Sequence, residues 1–178
     1  MRLGSSAARF GVLAQALHWI VVVGIIASWI VAEAAEDEER GGLLGLHRSI
    51  GLTIFALAVV RVGWRFFDPR PAWPAGMAGW ERSLARLTHA LLYVLLFAIP
   101  LTGWLLSSAE GDPVSWFGLF ELRPVSVAAD DDVLEDLHEV LFNVLVATAA
   151  LHTLAALKHH FVNRDGVLRS MLPRNPGR

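Results

Sequence analysis

The chain has 178 residues, is 54% hydrophobic and only 18% charged, a balance too apolar for a soluble domain that must cover itself with polar surface. Its net charge of −2, with no basic tract interleaved with aromatics, excludes nucleic acid as a partner. It has no cysteine, so disulfides, iron–sulfur clusters, thiolate chemistry and thioether attachment of a cofactor are excluded together.

Four long apolar segments follow one another at 10–32, 43–67, 84–107 and 133–161. Each is near or above the roughly 20 residues that span a hydrocarbon core. The first is too long for the apolar region of a cleaved signal peptide and is expected to stay in the membrane. Pro100 lies inside the third segment, which a membrane bundle tolerates. No internal repeat or low-complexity tract is present. The expected fold is all-α, an integral membrane four-helix bundle forming a single transmembrane domain over residues 1–178.

Charge alternates along the connections. Arg2 and Arg9 precede the first segment, and Glu33, Glu36, Asp37, Glu38 and Glu39 follow it against a single Arg40. Arg65, Arg70, Arg82 and Arg86 mark the second connection, whereas Glu110, Asp112, Glu121 and Asp130 to Asp132 mark the third. Beyond the last segment stand Lys158, Arg164, Arg169, Arg174 and Arg178. The positive-inside rule then puts both N and C termini and the second connection in the cytoplasm, and the other two connections outside. Trp64, Trp73, Trp80, Trp104 and Trp116 fall near segment ends and read first as interfacial lipid anchors.

All seven histidines lie in or against the apolar segments. Ionisable groups inside a bilayer are costly and mark function by default. His47 and His138 stand near the outer ends of the second and fourth segments, alone at that level. His18 and His152 lie comparably deep from the cytoplasmic side, on the first and fourth. His138 and His152 are 14 residues apart, close to four helical turns, so they share a face and stand ~21 Å apart along the axis. Two irons at that spacing would place their haem rings within electron-transfer reach, and bis-histidine ligation fills both axial positions. Zinc fits poorly, because it wants three or four ligands at one point and these come as separated pairs. Glu139, the carboxylate beside His138, is expected to point away from that site.

Several polar residues accompany the pairs. His89 reaches the cytoplasmic level on the third segment; it is open as a replacement for His18 or His152, as a contact to a haem propionate or quinone, or as an interhelical hydrogen-bond partner. Tyr93, the only tyrosine, shares its face. Arg61, 14 residues after His47, needs an anion at that depth, and a haem propionate would serve. Arg48 is a candidate for an outer propionate or for snorkelling to the interface. His159, beside His160 and Lys158, is either a solvated helix terminus or a donor of a hydrogen bond or proton to a quinone.

Leu17-His18-Trp19, Leu46-His47-Arg48, His89 to Tyr93, and Leu137-His138 through Leu151-His152 to His159-His160 form an ordered set. With the stretch from Arg9 to Met171-Leu172-Pro173-Arg174, this set resembles bacterial cytochrome b561 over nearly the whole chain. The resemblance implies a multi-pass protein of the bacterial inner (cytoplasmic) membrane, embedded in lipid, with two non-covalent b haems. It implies His18 with His152 on the cytoplasmic haem and His47 with His138 on the periplasmic one. It also implies quinone-coupled electron transfer, including oxidation of superoxide with ubiquinone as acceptor. The alternative is a cytochrome b membrane-anchor subunit that relays electrons between a partner dehydrogenase or hydrogenase and the quinone pool. A metal-ion transporter using the histidines as a relay is a third class, and it would be colourless.

Overall fold

Seven of the eight prolines fall outside the four apolar segments, and each removes a backbone donor where a helix would otherwise continue. Between them the chain is free to be helical. A computed structural model describes residues 3–35 and 42–173; the acidic run from Glu36 to Arg40, with Arg2, Arg174 and Arg178, lies outside the described residues.

The four long helices are α1 (Val12–Ala35), α2 (Gly42–Phe67), α3 (Gly79–Ala109) and α4 (Asp131–Lys158). Each is long and apolar enough to cross a membrane. Helix α3 begins earlier than hydropathy alone suggests. Glu81 reaches back to accept from the backbone N–H of Ala78 (3.1 Å), which fixes the start ahead of Arg82 and Arg86 and takes both arginines into the helix. It then runs through Pro100 without a break. Asp130 caps α4 by accepting from the N–H of Asp132 at 3.2 Å, and Asp131 and Asp132 complement the helix dipole.

Two features depart from a purely helical chain. In the connection after α3, β1 (Val114–Trp116) pairs antiparallel with β2 (Phe120–Leu122). The turn carries positive φ at Phe117 (48°) and Gly118 (72°), the left-handed pair that suits a short hairpin. After α4 the chain passes through one π-helical turn, His159–Asn163, reverses at Arg164 (φ 53°) and forms a short helix α5 (Val167–Met171). That tail is tied to α1: Gln15 donates to the Ser170 carbonyl (3.0 Å) and the Trp19 indole to that of Met171 (2.9 Å).

The packing is uneven, and that is what positions the site. Helix α1 lies along α2, α3 along α4, and α2 against α3, with Val21, Ile54, Ala58 and Leu96 at the common core. Gly24 allows the close approach of α1 to α2, since a Cβ there would meet Ile54 at 3.2 Å. Helix α4 has no comparable interface with α1 or α2. Large apolar side chains such as Ile20, Val23, Ile30, Val60, Leu87 and Leu154 are more than half exposed on the outside of the bundle, which suits lipid and not water. The protein is a membrane four-helix bundle.

Candidate functional site

The gap between α4 and the α1–α2 pair is crossed by histidines at two levels. Near the end of the bundle that carries the β-hairpin, His47 on α2 faces His138 on α4, ring centres 6.2 Å apart and planes at 76°. Near the opposite end, which carries the short helix α5, His18 on α1 faces His152 on α4 at 6.4 Å and 76°. Two metal–nitrogen bonds of ~2.0–2.1 Å plus the roughly 1.1 Å from each nitrogen to its ring centre give about 6.3 Å. Both pairs therefore have the spacing of two imidazoles on opposite sides of one metal ion. His89 also meets His152, but at 5.0 Å, direct ring contact with no room for an ion between.

Hydrogen bonds fix the tautomers of the first pair. The Nδ1 of His47 lies 3.0 Å from the Ser28 carbonyl, which can only accept, so Nδ1 carries the proton. Thr102 donates its hydroxyl to the Ile99 carbonyl (2.8 Å) and so accepts from Nδ1 of His138 at 3.1 Å. In both rings Nε2 keeps its lone pair for a metal, and a polar partner orients the ring from behind. Gly103 makes room for His138, since a Cβ there would stand 3.2 Å from its Cε1.

Around this pair lies a cavity of about 530 Å³, within the range that holds cofactors. Gly51 lines it, and a Cβ at Gly51 would meet nothing within 4 Å. The Trp104 indole N–H also lines it and is buried without a partner among the described residues. An open glycine wall, an orphaned donor and two Nε2 lone pairs suit a planar, anionic, metal-bearing macrocycle such as haem. At the other level the Nδ1 of His18 is likewise buried and unpartnered.

The remaining sequence candidates divide. Arg61 and Arg65 both lie over the ring of Tyr93, at 5.6 and 5.5 Å from its centre, and neither has a carboxylate partner among the described residues. With Trp64, whose indole N–H is also unpartnered, they line a small pocket near the basic end. His89 donates its Nδ1–H to the Ala85 carbonyl one turn back. His159 is buried, bonded through Nδ1 to Asp165 (2.5 Å) with Asn163 at 3.2 Å, and is not a solvated terminus. Arg48 lines the large cavity with its guanidinium paired to Glu110 (2.9 Å) and Asp112 (3.2 Å).

Two expectations need correcting. Glu139 lines the cavity of His138, because the gap beside α4 is wide enough for the neighbouring helix position to reach it. Trp116 is no lipid anchor: its indole donates to Thr53 (3.0 Å) and pins the hairpin to α2. The sequence reading missed Ser28, Thr102, Gly103, Arg65 and Asp165 as supports. Ser28 and Thr102 carried a signal, a small polar side chain inside an apolar helix.

The profile of the prokaryotic cytochrome b561 family matches residues 9–174. The chain is 37% identical to "Cytochrome b561 homolog 2" of Escherichia coli K12, covering 94% of this chain and 93% of that one. It is 27% identical to "Probable superoxide oxidase CybB" of Yersinia pestis (95% and 98% covered) and 29% identical to "Cytochrome b562" of Cereibacter sphaeroides (89% and 92%). With a match over nearly its full length and a cavity shaped for the cofactor such proteins bind, the chain belongs to the prokaryotic cytochrome b561 family of haem-binding, electron-transporting membrane proteins.

Proposed function

We propose that this protein is a di-haem b quinone oxidoreductase of the bacterial inner membrane, built as one transmembrane domain with both chain ends in the cytoplasm. The observation that carries the reading is the pair of histidine couples, 6.2 and 6.4 Å across, set 14 residues apart along α4. His47 with His138 would hold one iron on the periplasmic side and His18 with His152 the other on the cytoplasmic side. The 5.0 Å contact leaves His89 as a polar neighbour of the second site. Bound at these places, haem b supplies reversible one-electron carriage.

The chain's own groups then have distinct tasks. Ser28 and Thr102 hold the rings of His47 and His138 in the metal-binding tautomer. Arg61, a cation at membrane depth with no carboxylate partner among the described residues, would take a propionate of the inner haem, and Tyr93 packs against its guanidinium. Arg48, already paired, keeps the loop after α3 over the outer cavity. His159, oriented by Asp165, places a proton at the quinone oxygen, with His89 as a second polar contact. The net reaction oxidises two donors by one electron each and reduces one ubiquinone, with two protons, to the quinol. The donor is a one-electron reductant whose identity the relatives do not share by name: one of them is named a probable superoxide oxidase, the others only cytochromes.

The test is to purify the full chain in detergent, count haem, and mix it with donor and quinone separately. Two low-spin haems per chain, reoxidised by ubiquinone, are expected. A colourless protein would end the reading in favour of metal-ion transport. Quinone reduction that appears only with a co-purifying dehydrogenase or hydrogenase would make the chain an anchor subunit.

A further inference from the structure

Charge in this molecule is divided end from end. Among the described residues, ten of the thirteen Asp and Glu, but only two of the eleven Lys and Arg, belong to the hairpin end; the rest lie towards the end that carries α5. The cavity of His47 and His138 belongs to the acidic end, and Glu33, Glu110, Glu135 and Glu139 line it against the single Arg48. All four glutamates are exposed.

The one lining cation among the described residues does not offset them. Arg48 is bound on one side by Glu110 and on the other by Asp112. Among the described residues, Glu33, Glu135 and Glu139 have no lysine or arginine within ion-pair distance. Their polar neighbours are uncharged: the Trp29 indole donates to Glu33 at 3.0 Å and the Asn143 amide lies 3.5 Å from Glu139. Such contacts hold the carboxylates in place and leave their charge intact. An opening of one sign in a low-dielectric wall concentrates the field and can change encounter rates by about ten- to a thousandfold.

We infer that this mouth selects the one-electron donor by charge, admitting cationic reductants and repelling anionic ones, superoxide among them. Glu33, Glu135 and Glu139 are the selecting residues. The inference rests on the reading that electrons enter beside His47 and His138, and it names the donor class for that entry: a cation that gives up one electron to the outer site.

The experiment uses the full haem-loaded chain in proteoliposomes, reduced from outside by hexaammineruthenium(II), by superoxide, or by dithionite acting through its radical anion. The parent is compared with a variant carrying E33Q, E135Q and E139Q together. At low salt the variant should be slower with the ruthenium cation and faster with superoxide, each by roughly three- to tenfold. The difference should fade as ionic strength rises towards 1 M, where the screening length is only about 3 Å. Entry of anions at the basic end is untouched by these substitutions, so the comparison isolates the mouth. In the parent alone, the ruthenium rate should fall as salt is added. A variant that leaves the cation's rate unchanged or slows superoxide would overturn the inference, as would a salt-independent parent. A chain without haem would count against the proposed function instead.

Discussion

Gly103 on α3 and His138 on α4 are as close as a glycine and an imidazole can usefully be: a Cβ on Gly103 would stand 3.2 Å from Cε1 of the ring. The ring is thus wedged between the helix backbone and the Thr102 hydroxyl, and its direction across the gap is set by α3. Gly103→Ala should be accommodated by a displacement of a few tenths of an ångström, keeping two haems but altering the spectrum of one. Gly103→Leu cannot be accommodated that way and should lose the outer haem alone, read as a haem-to-protein ratio falling by half.

The proposed ligand set takes four histidines and spares a fifth. His47→Ala and His138→Ala should each remove one haem and leave the other spectrally normal; His18→Ala should remove the remaining one. His89→Ala should keep both, because its 5.0 Å contact with His152 is packing. Loss of a haem in the His89 variant with retention of both in the His18 variant would reverse the assignment at the inner site.

Depth along a helix does not distinguish His18 from His89. Counting residues from each membrane face gives height, and both histidines have the right height; ring-to-ring distance depends on how far α1 and α3 stand from α4, which no single helix encodes. The four spans were readable because proline is almost absent from them and because intramembrane histidines are too costly to be incidental. The hairpin was not, since its strands, Val114–Trp116 and Phe120–Leu122, are three residues each and are held by contacts to α2 far away in sequence. The start of α3 was misplaced because Trp80, Arg82 and Arg86 look like a polar loop until Glu81 closes the backbone. Arg48 likewise reads as free from sequence, and its partners Glu110 and Asp112 come from more than sixty residues on.

Thr102 gives a test of electronic tuning. It accepts the Nδ1 proton of His138, which makes the opposite nitrogen a better donor and favours the oxidised form of any iron it holds. Thr102→Val keeps the shape and removes the acceptor. The outer haem should stay bound with a higher midpoint potential. A net hydrogen-bond contribution of about 0.5–1.5 kcal/mol corresponds to roughly 20–60 mV for one electron. Redox titration should show one of two potentials moving and the other fixed.

Asp165 holds His159 through Nδ1 at 2.5 Å, a bond that leaves its Nε2 unengaged by the carboxylate. If that nitrogen serves a quinone, Asp165→Asn should slow quinol formation about ten- to a hundredfold while both haems keep their spectra and their reduction by donor, since only the orientation and charge behind the imidazole are lost. Equal slowing of haem reduction and quinol formation would show the aspartate to be a structural support for the turn.

Ser49 is where the hairpin is fastened to α2. It is 3% exposed, accepts from the N–H of Phe117 at 3.1 Å and lies 3.0 Å from the Ser115 carbonyl; one turn on, Thr53 receives the Trp116 indole. A hydroxyl serving two backbone groups of another element cannot be replaced by a methyl without leaving both unsatisfied, at about 1–3 kcal/mol. Ser49→Ala should therefore loosen the connection after α3 while the helices stay intact. Limited proteolysis should cut between residues 110 and 130 at lower protease concentration than in the parent, and cutting should be restored to the parent level by Ser49→Thr, which keeps the oxygen. The hairpin that this fastening holds lines the His47–His138 cavity through Val114 and Leu122, so Ser49→Ala should also speed exchange of the outer haem with added apo-acceptor protein and leave the inner one unaffected.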